Sequence, residues 1–74
     1  MKRVLPSMTS LQAFDAAARA GSFTAAAREL NLTQGAVSKR IIALEDLLGV
    51  PLFERQGHAV VLTDAGRSYA KEVR

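Results

Sequence analysis

SFTAAARELNLTQGAVSKRIIALE, residues 22–45, reads as two short helices joined by a tight turn. Ser22 and Thr33 stand where the caps of these helices belong, because a hydroxyl there accepts a hydrogen bond from a first-turn amide that lacks a helical partner. The first helix is expected at about Thr24–Leu30, with Ala26, Ala27 and Leu30 as its inner face and Phe23 near its start. Asn31 tolerates the left-handed conformation that stops a helix, and Leu32 fills the turn. The second is expected at about Gln34–Leu48. At ~100° per residue, Val37, Ile41, Leu44 and Leu48 share one stripe. Gln34, Ser38 and Glu45 flank the stripe, while Gly35, Lys39, Ile42 and Asp46 lie opposite it. A pair of helices that buries one face of each and turns the second helix outward can place that helix in the DNA major groove.

Outward from this unit, Thr9-Ser10-Leu11-Gln12 fits a capping box for a preceding helix. Leu11, Phe14, Ala17 and Ala18 give that helix its apolar stripe, and Gly21 its stop. On the other side, Gly49 ends the long helix and Pro51 prevents it from resuming. Leu52-Phe53-Glu54-Arg55 and Ala59-Val60-Val61-Leu62 are short and β-prone, and Gln56-Gly57-His58 between them predicts a hairpin turning at Gly57. Thr63-Asp64 opens a last helix that is expected to run to the end of the chain. Its Ala65, Tyr69, Ala70 and Val73 leave a narrow apolar seam, better suited to another helix than to a broad core. The expected fold is mainly α, a winged helix-turn-helix with a three-helix core and a small hairpin wing. Residues 1–62 form the domain, and 63–74 begin a dimerising linker helix in a chain cut from a longer protein.

Seventy-four residues allow one domain with a small core, and 49% hydrophobic residues exceed what a disordered chain carries. Cysteine is absent, which removes disulfides, thiolate metal sites and a cysteine nucleophile. No stretch approaches the roughly 18 apolar residues of a membrane span. After Lys2 and Arg3, Pro6, Ser7, Thr9 and Ser10 stand where a signal peptide would have its apolar core, so a cytoplasmic protein is expected. A net charge of +3 and a pI near 10.0 bias the chain mildly toward polyanions. The seven acidic residues show no convergent pair, and no nucleophile stands beside an activating base, so an enzyme has little support.

Candidate groove contacts are Gln34, Gly35, Ser38 and Lys39: glutamine can bond a base edge, serine a base or phosphate, and glycine admits a close backbone. The competing reading is that Gln34 and Ser38 are ordinary solvated helix residues. Lys39, Arg40 and Arg55 are candidate phosphate contacts. Arg40 is equally placed to pair with Glu29 or Asp15, and Arg55 to be a plain surface arginine. His58 has no partners at metal-ligand spacing, and suits a turn or a phosphate neighbour better.

The ordered set Ser22-Phe23-Thr24, Ala26-Ala27, Thr33-Gln34, Ala36-Val37-Ser38, Ile41, Leu44-Glu45, Leu48-Gly49, Leu52-Phe53, Arg55, Leu62-Thr63 and Gly66 resembles the N-terminal DNA-binding domain of LysR-type bacterial transcriptional regulators. Leu5-Pro6 and the alanine-rich first helix look similar to the subgroup around the glycine-cleavage regulator. Three positions depart from the family's usual residues: Gly35 (often proline or alanine), Ile42 (often polar) and His58 (commonly arginine). The resemblance implies sequence-specific binding to double-stranded promoter DNA of dyad symmetry by dimers or tetramers. Ser22, Thr24, Thr33, Arg40, Arg55 and His58 would then touch phosphate or serve the wing. It also implies that no cofactor sits in this domain and that a small-molecule inducer binds a separate effector domain. The rival class is a winged helix that binds protein instead of DNA.

Overall fold

The computed structural model describes residues 6–57 and 59–73. His58 in the expected hairpin turn, and Arg74 at the expected end of the last helix, lie outside them. The elements are α1 (Met8–Ala20), α2 (Phe23–Leu30), α3 (Gln34–Leu48), β1 (Phe53–Gln56), β2 (Ala59–Leu62) and α4 (Asp64–Val73). The fold is the expected one: α1, α2 and α3 pack on one another, and an antiparallel hairpin leads into α4.

The first helix starts earlier than the capping box at Thr9 predicts. Ser7 is its cap: the Ser7 hydroxyl accepts from the Ser10 amide at 3.1 Å, and the Ser7 carbonyl from the Leu11 amide at 3.1 Å. Thr9 in the first turn and Gln12 in the second are exposed. Ser7 and Thr9 carry the same capping chemistry, and the earlier start adds helical hydrogen bonds. The stripe shifts too. Ala13, Phe14, Ala16 and Ala17 are buried, whereas Leu11 and Ala18 are only half-buried. Alanines at these positions let α2 and α3 approach α1 closely.

Gly21 (φ 67°), Asn31 (φ 59°) and Gly49 (φ 74°) end the three helices in the left-handed conformation. At Asn31 the turn closes through the Leu32 amide donating to the Ala27 carbonyl at 2.8 Å, and Leu32 packs on the core. Arg19 on α1 clamps α2. Its Nε donates to Asp15 Oδ2 at 3.0 Å, its Nη1 to Glu29 Oε1 at 3.1 Å, and its Nη2 to Glu29 Oε2. The Arg19 hydrogen bond holds the Glu29 carboxyl below its ordinary range, and Glu29 in turn raises the Arg19 guanidinium. Glu29's contribution to stability is therefore present above the ordinary carboxylate range and is lost as pH falls through its lowered folded value.

The hairpin pairs Phe53 with Leu62, Glu54 with Val61, Arg55 with Val60 and Gln56 with Ala59. It is tied to the helices by the Val60 amide, which donates to the Gly21 carbonyl at 3.1 Å, and closed at its base by Thr63 N donating to Leu52 O at 3.0 Å. Leu52 is fully buried just ahead of β1 and is not part of the strand. An aromatic chain links α1, α2, the hairpin and α4. Phe23 meets Phe53 at 5.5 Å between ring centroids, Phe53 meets Phe14 at 5.6 Å, and Phe14 meets Tyr69 at 5.3 Å.

That last contact corrects the reading of α4 as a seam left over for another helix. Tyr69, Ala70 and Val73 pack against the domain's own core. Burial, helped by Glu72, raises the Tyr69 hydroxyl above its ordinary pKa. Phe14 and Leu11 on α1 offer α4 an apolar surface within the same chain, so its inner side is occupied before any second molecule arrives. Thr63 starts the helix, accepting from Gly66 N at 3.0 Å while its hydroxyl donates to the Pro51 carbonyl at 2.7 Å.

Candidate nucleic-acid interface

The N-terminal turn of α3 stands open. Thr33 caps it, its hydroxyl oxygen accepting from the Ala36 amide at 3.1 Å. Ser22 caps α2 in the same way through the Ala25 amide at 3.1 Å. Each hydroxyl uses a lone pair for capping and keeps its proton to donate outward, beside a helix end that carries partial positive charge. Gln34, Gly35 and Lys39 are exposed, and the Thr24 hydroxyl donates to Gln34 Oε1 at 3.3 Å. The structure thus brings Thr24, on one helix, to Gln34 on the next. A Cβ built on Gly35 would meet nothing within 4 Å, so no intramolecular contact requires glycine there.

Ser38 occupies a different place from Gln34. It is half-buried and shares a groove with Ile42, Phe53, Val60 and Arg55. The register puts Arg55 on the same hairpin face as Phe53, Val60 and Leu62, the side turned to the helices. The wing therefore brings its arginine alongside the flank of α3 that carries Ser38. Ile42 is 54% exposed at this edge.

Glu45 flanks the apolar stripe of α3, and its task is visible only in three dimensions. Its Oε2 accepts from the Leu52 amide at 2.7 Å and the Phe53 amide at 3.4 Å. A carboxylate on the recognition helix thus grips the first residues of the wing and sets the spacing between the two. The sequence signals are a charged residue adjoining the buried stripe and its place in the Leu44-Glu45 motif, and neither names the partner.

Arg40 is half-buried and has no ion pair among the described residues. The alternative that Arg40 pairs with Glu29 or Asp15 gives way to Arg19 on α1, which bonds both carboxylates. Among the described residues no three His, Asp or Glu side chains converge on a metal-sized site, and no helix is long and apolar enough to cross a membrane.

Two capped helices with an open second N-terminus, and a hairpin locked beside it, define a winged helix-turn-helix domain. The chain belongs to the bacterial regulatory helix-turn-helix proteins of the LysR family, whose model matches residues 8–67. It is 49% identical over 74 residues to the glycine cleavage system transcriptional activator of Escherichia coli K12, a match covering 100% of this chain and 24% of that protein. It is 54% identical over 66 residues to the HTH-type transcriptional regulator TrpI of Pseudomonas aeruginosa, covering 89% of this chain and 22% of TrpI. The chain thus spans about a quarter of the length of these curated relatives. Among solved structures it superposes on the CbnR DNA-binding domain in complex with DNA with a TM-score of 0.88 and 37% identity, covering 92% of this chain and 78% of that one. The BenM DNA-binding domain in complex with benA site 1 DNA gives a TM-score of 0.85 and 33% identity, covering 90% of this chain and 75% of that one.

Proposed function

We propose that this domain binds double-stranded DNA sequence-specifically as the DNA-binding part of a LysR-family transcriptional regulator, acting in the cytoplasm and without catalysis of its own. The observation that carries this reading is the open first turn of α3, with Gln34, Gly35 and Lys39 exposed and Arg55 of the wing on its flank. Alpha3 enters the major groove. Gln34, Gly35, Ser38 and Lys39 face base edges, while the hydroxyls of Ser22 and Thr33 and the cations Arg40 and Arg55 hold phosphate; the Thr24 proton, given to Gln34 in the free domain, would reach phosphate only by leaving that bond. His58 is proposed as a neighbour of phosphate at the wing tip. A small-molecule inducer is proposed to act through a part of the protein outside this chain.

Gln34→Ala and Ser38→Ala test the groove assignment. Each is expected to weaken specific binding by ~1–3 kcal/mol and to relax preference at one base pair. Neither residue belongs to the buried Val37–Ile41–Leu44 row, so thermal unfolding should stay close to wild type. Wild-type affinity and selectivity in both variants would sink the assignment.

Arg55→Ala is expected to lower specific and non-specific affinity almost equally and to reduce the slope of log K against log salt by about one unit. An unchanged slope would make Arg55 a plain surface residue. A weak salt dependence of the wild type would favour the rival reading, an apolar protein-binding face.

Dimerisation is proposed to use the side of α4 left outside the intramolecular packing, starting at half-buried Ala65 and reaching the edges of Tyr69, Ala70 and Val73. Two copies would hold their recognition helices about 34 Å, or a multiple of it, apart. Sedimentation and titration with symmetric and single half-sites measure this. Equal affinity for both DNAs, with a monomer throughout, would remove α4 from the role.

A further inference from the structure

Gln34 does not stand free: its amide oxygen is held. Thr24 is the second residue of α2 and Gln34 the first of α3, and the 3.3 Å contact between Thr24 Oγ1 and Gln34 Oε1 spans the turn. A carbonyl oxygen cannot donate, so the hydroxyl is the donor. The bond draws the carbonyl end of the amide back toward α2 and leaves the Nε2 end, with its two hydrogens, to point elsewhere.

The consequence concerns which base Gln34 reads. A free glutamine recognises adenine with both ends of its amide, donating to N7 and accepting from the N6 amino group. That pairing requires the carbonyl to face the base. With Oε1 turned to Thr24 and one of its two lone pairs taken, the side chain presents its Nε2 donors to the base. Guanine presents two acceptors in the major groove, N7 and O6, and thymine presents O4 with no donor beside it, whereas adenine sets its N7 acceptor beside an N6 donor that the turned-away carbonyl leaves unmatched. We propose that Thr24 is a positioning residue that makes Gln34 a donor-only reader, selecting guanine or thymine over adenine at the base it contacts. This rests on the proposed placement of Gln34 in the groove.

The experiment is selection of bound duplexes from a randomised site, with sequencing, for wild type, Gln34→Ala, Thr24→Val, Thr24→Ser and the Thr24→Val/Gln34→Ala double variant. Valine keeps the branched shape and removes the donor; serine keeps the donor. The base pair whose preference collapses in Gln34→Ala marks the contact. At that pair the wild type should favour guanine or thymine. Thr24→Val should shift the ratio of adenine to guanine or thymine by about fivefold or more toward adenine, the low end of discrimination by a bidentate contact. Thr24→Ser should keep the wild-type ratio, and the double variant should match Gln34→Ala.

If Thr24→Val weakens all four bases alike and leaves their ratios unchanged, Thr24 holds phosphate only and the positioning role is overturned, while the groove placement of Gln34 stands. A wild-type preference for adenine at that pair overturns it too. If Gln34→Ala alters no preference at any position, the base contact itself falls and the role of Thr24 with it.

Discussion

Phe14→Ala is expected to remove a large part of the stability of this domain. Phe14 is 1% exposed and lies at the junction of α1, β1 and α4, touching the Phe53 and Tyr69 rings. Truncating a buried phenylalanine costs about 3–5 kcal/mol, because the cavity it leaves collapses only in part. A domain of this length has a total stability of roughly 4–11 kcal/mol. The midpoint of thermal unfolding should fall by more than ~12 °C. Phe14→Leu, which keeps most of the volume, should lose less than half as much. Circular dichroism melts of the two variants check this. A Phe14→Ala melting point within a few degrees of wild type would show that the aromatic chain does not hold the wing and α4 to the core.

Gly66→Ala is expected to destabilise by about 3 kcal/mol or more, the upper range of overpacking, although alanine is the better helix former. A Cβ at Gly66 would stand 2.2 Å from the Leu52 carbonyl oxygen and 2.9 Å from Leu62 Cδ2. The Leu62 methyl can rotate away, but the Leu52 carbonyl cannot. It is backbone, and it already accepts the Thr63 amide that closes the base of the hairpin. Relief therefore requires α4 to lift off, which also parts Tyr69 from Phe14. Ser68→Ala on the exposed side of the same helix is the control and should melt with the wild type. If Gly66→Ala does so as well, α4 does not sit this close to the Leu52 backbone ahead of β1.

Much of the candidate site was legible because its signals are local. Ser22, Asn31, Thr33 and Gly49 each act on the chain within a few residues of themselves, through a hydroxyl that reaches the next turn or a backbone that accepts positive φ. The Val37–Ile41–Leu44 row follows from helical periodicity alone, and so does the exposure of Gly35, Lys39 and Ile42. Capping chemistry by itself did not separate Ser7 from Thr9, since both offer the same group at the same reach.

What the sequence by itself determined, then, is the order of the elements, their stops, the buried row of α3 and the exposed turn that opens it. Only the tertiary structure decided the partners that come from distant parts of the chain. It gave Glu45 to the amides of Leu52 and Phe53, Arg19 and not Arg40 to Glu29, and Thr24 to Gln34. It also turned the inner side of α4 onto Phe14 and pressed Gly66 against Leu52. The physical reason is range. Propensity, capping and periodicity act over one or two helical turns, whereas a hydrogen-bond partner or a close backbone approach depends on how whole helices are set against one another. That setting follows from the close packing of small alanines and a few aromatic rings across the entire core.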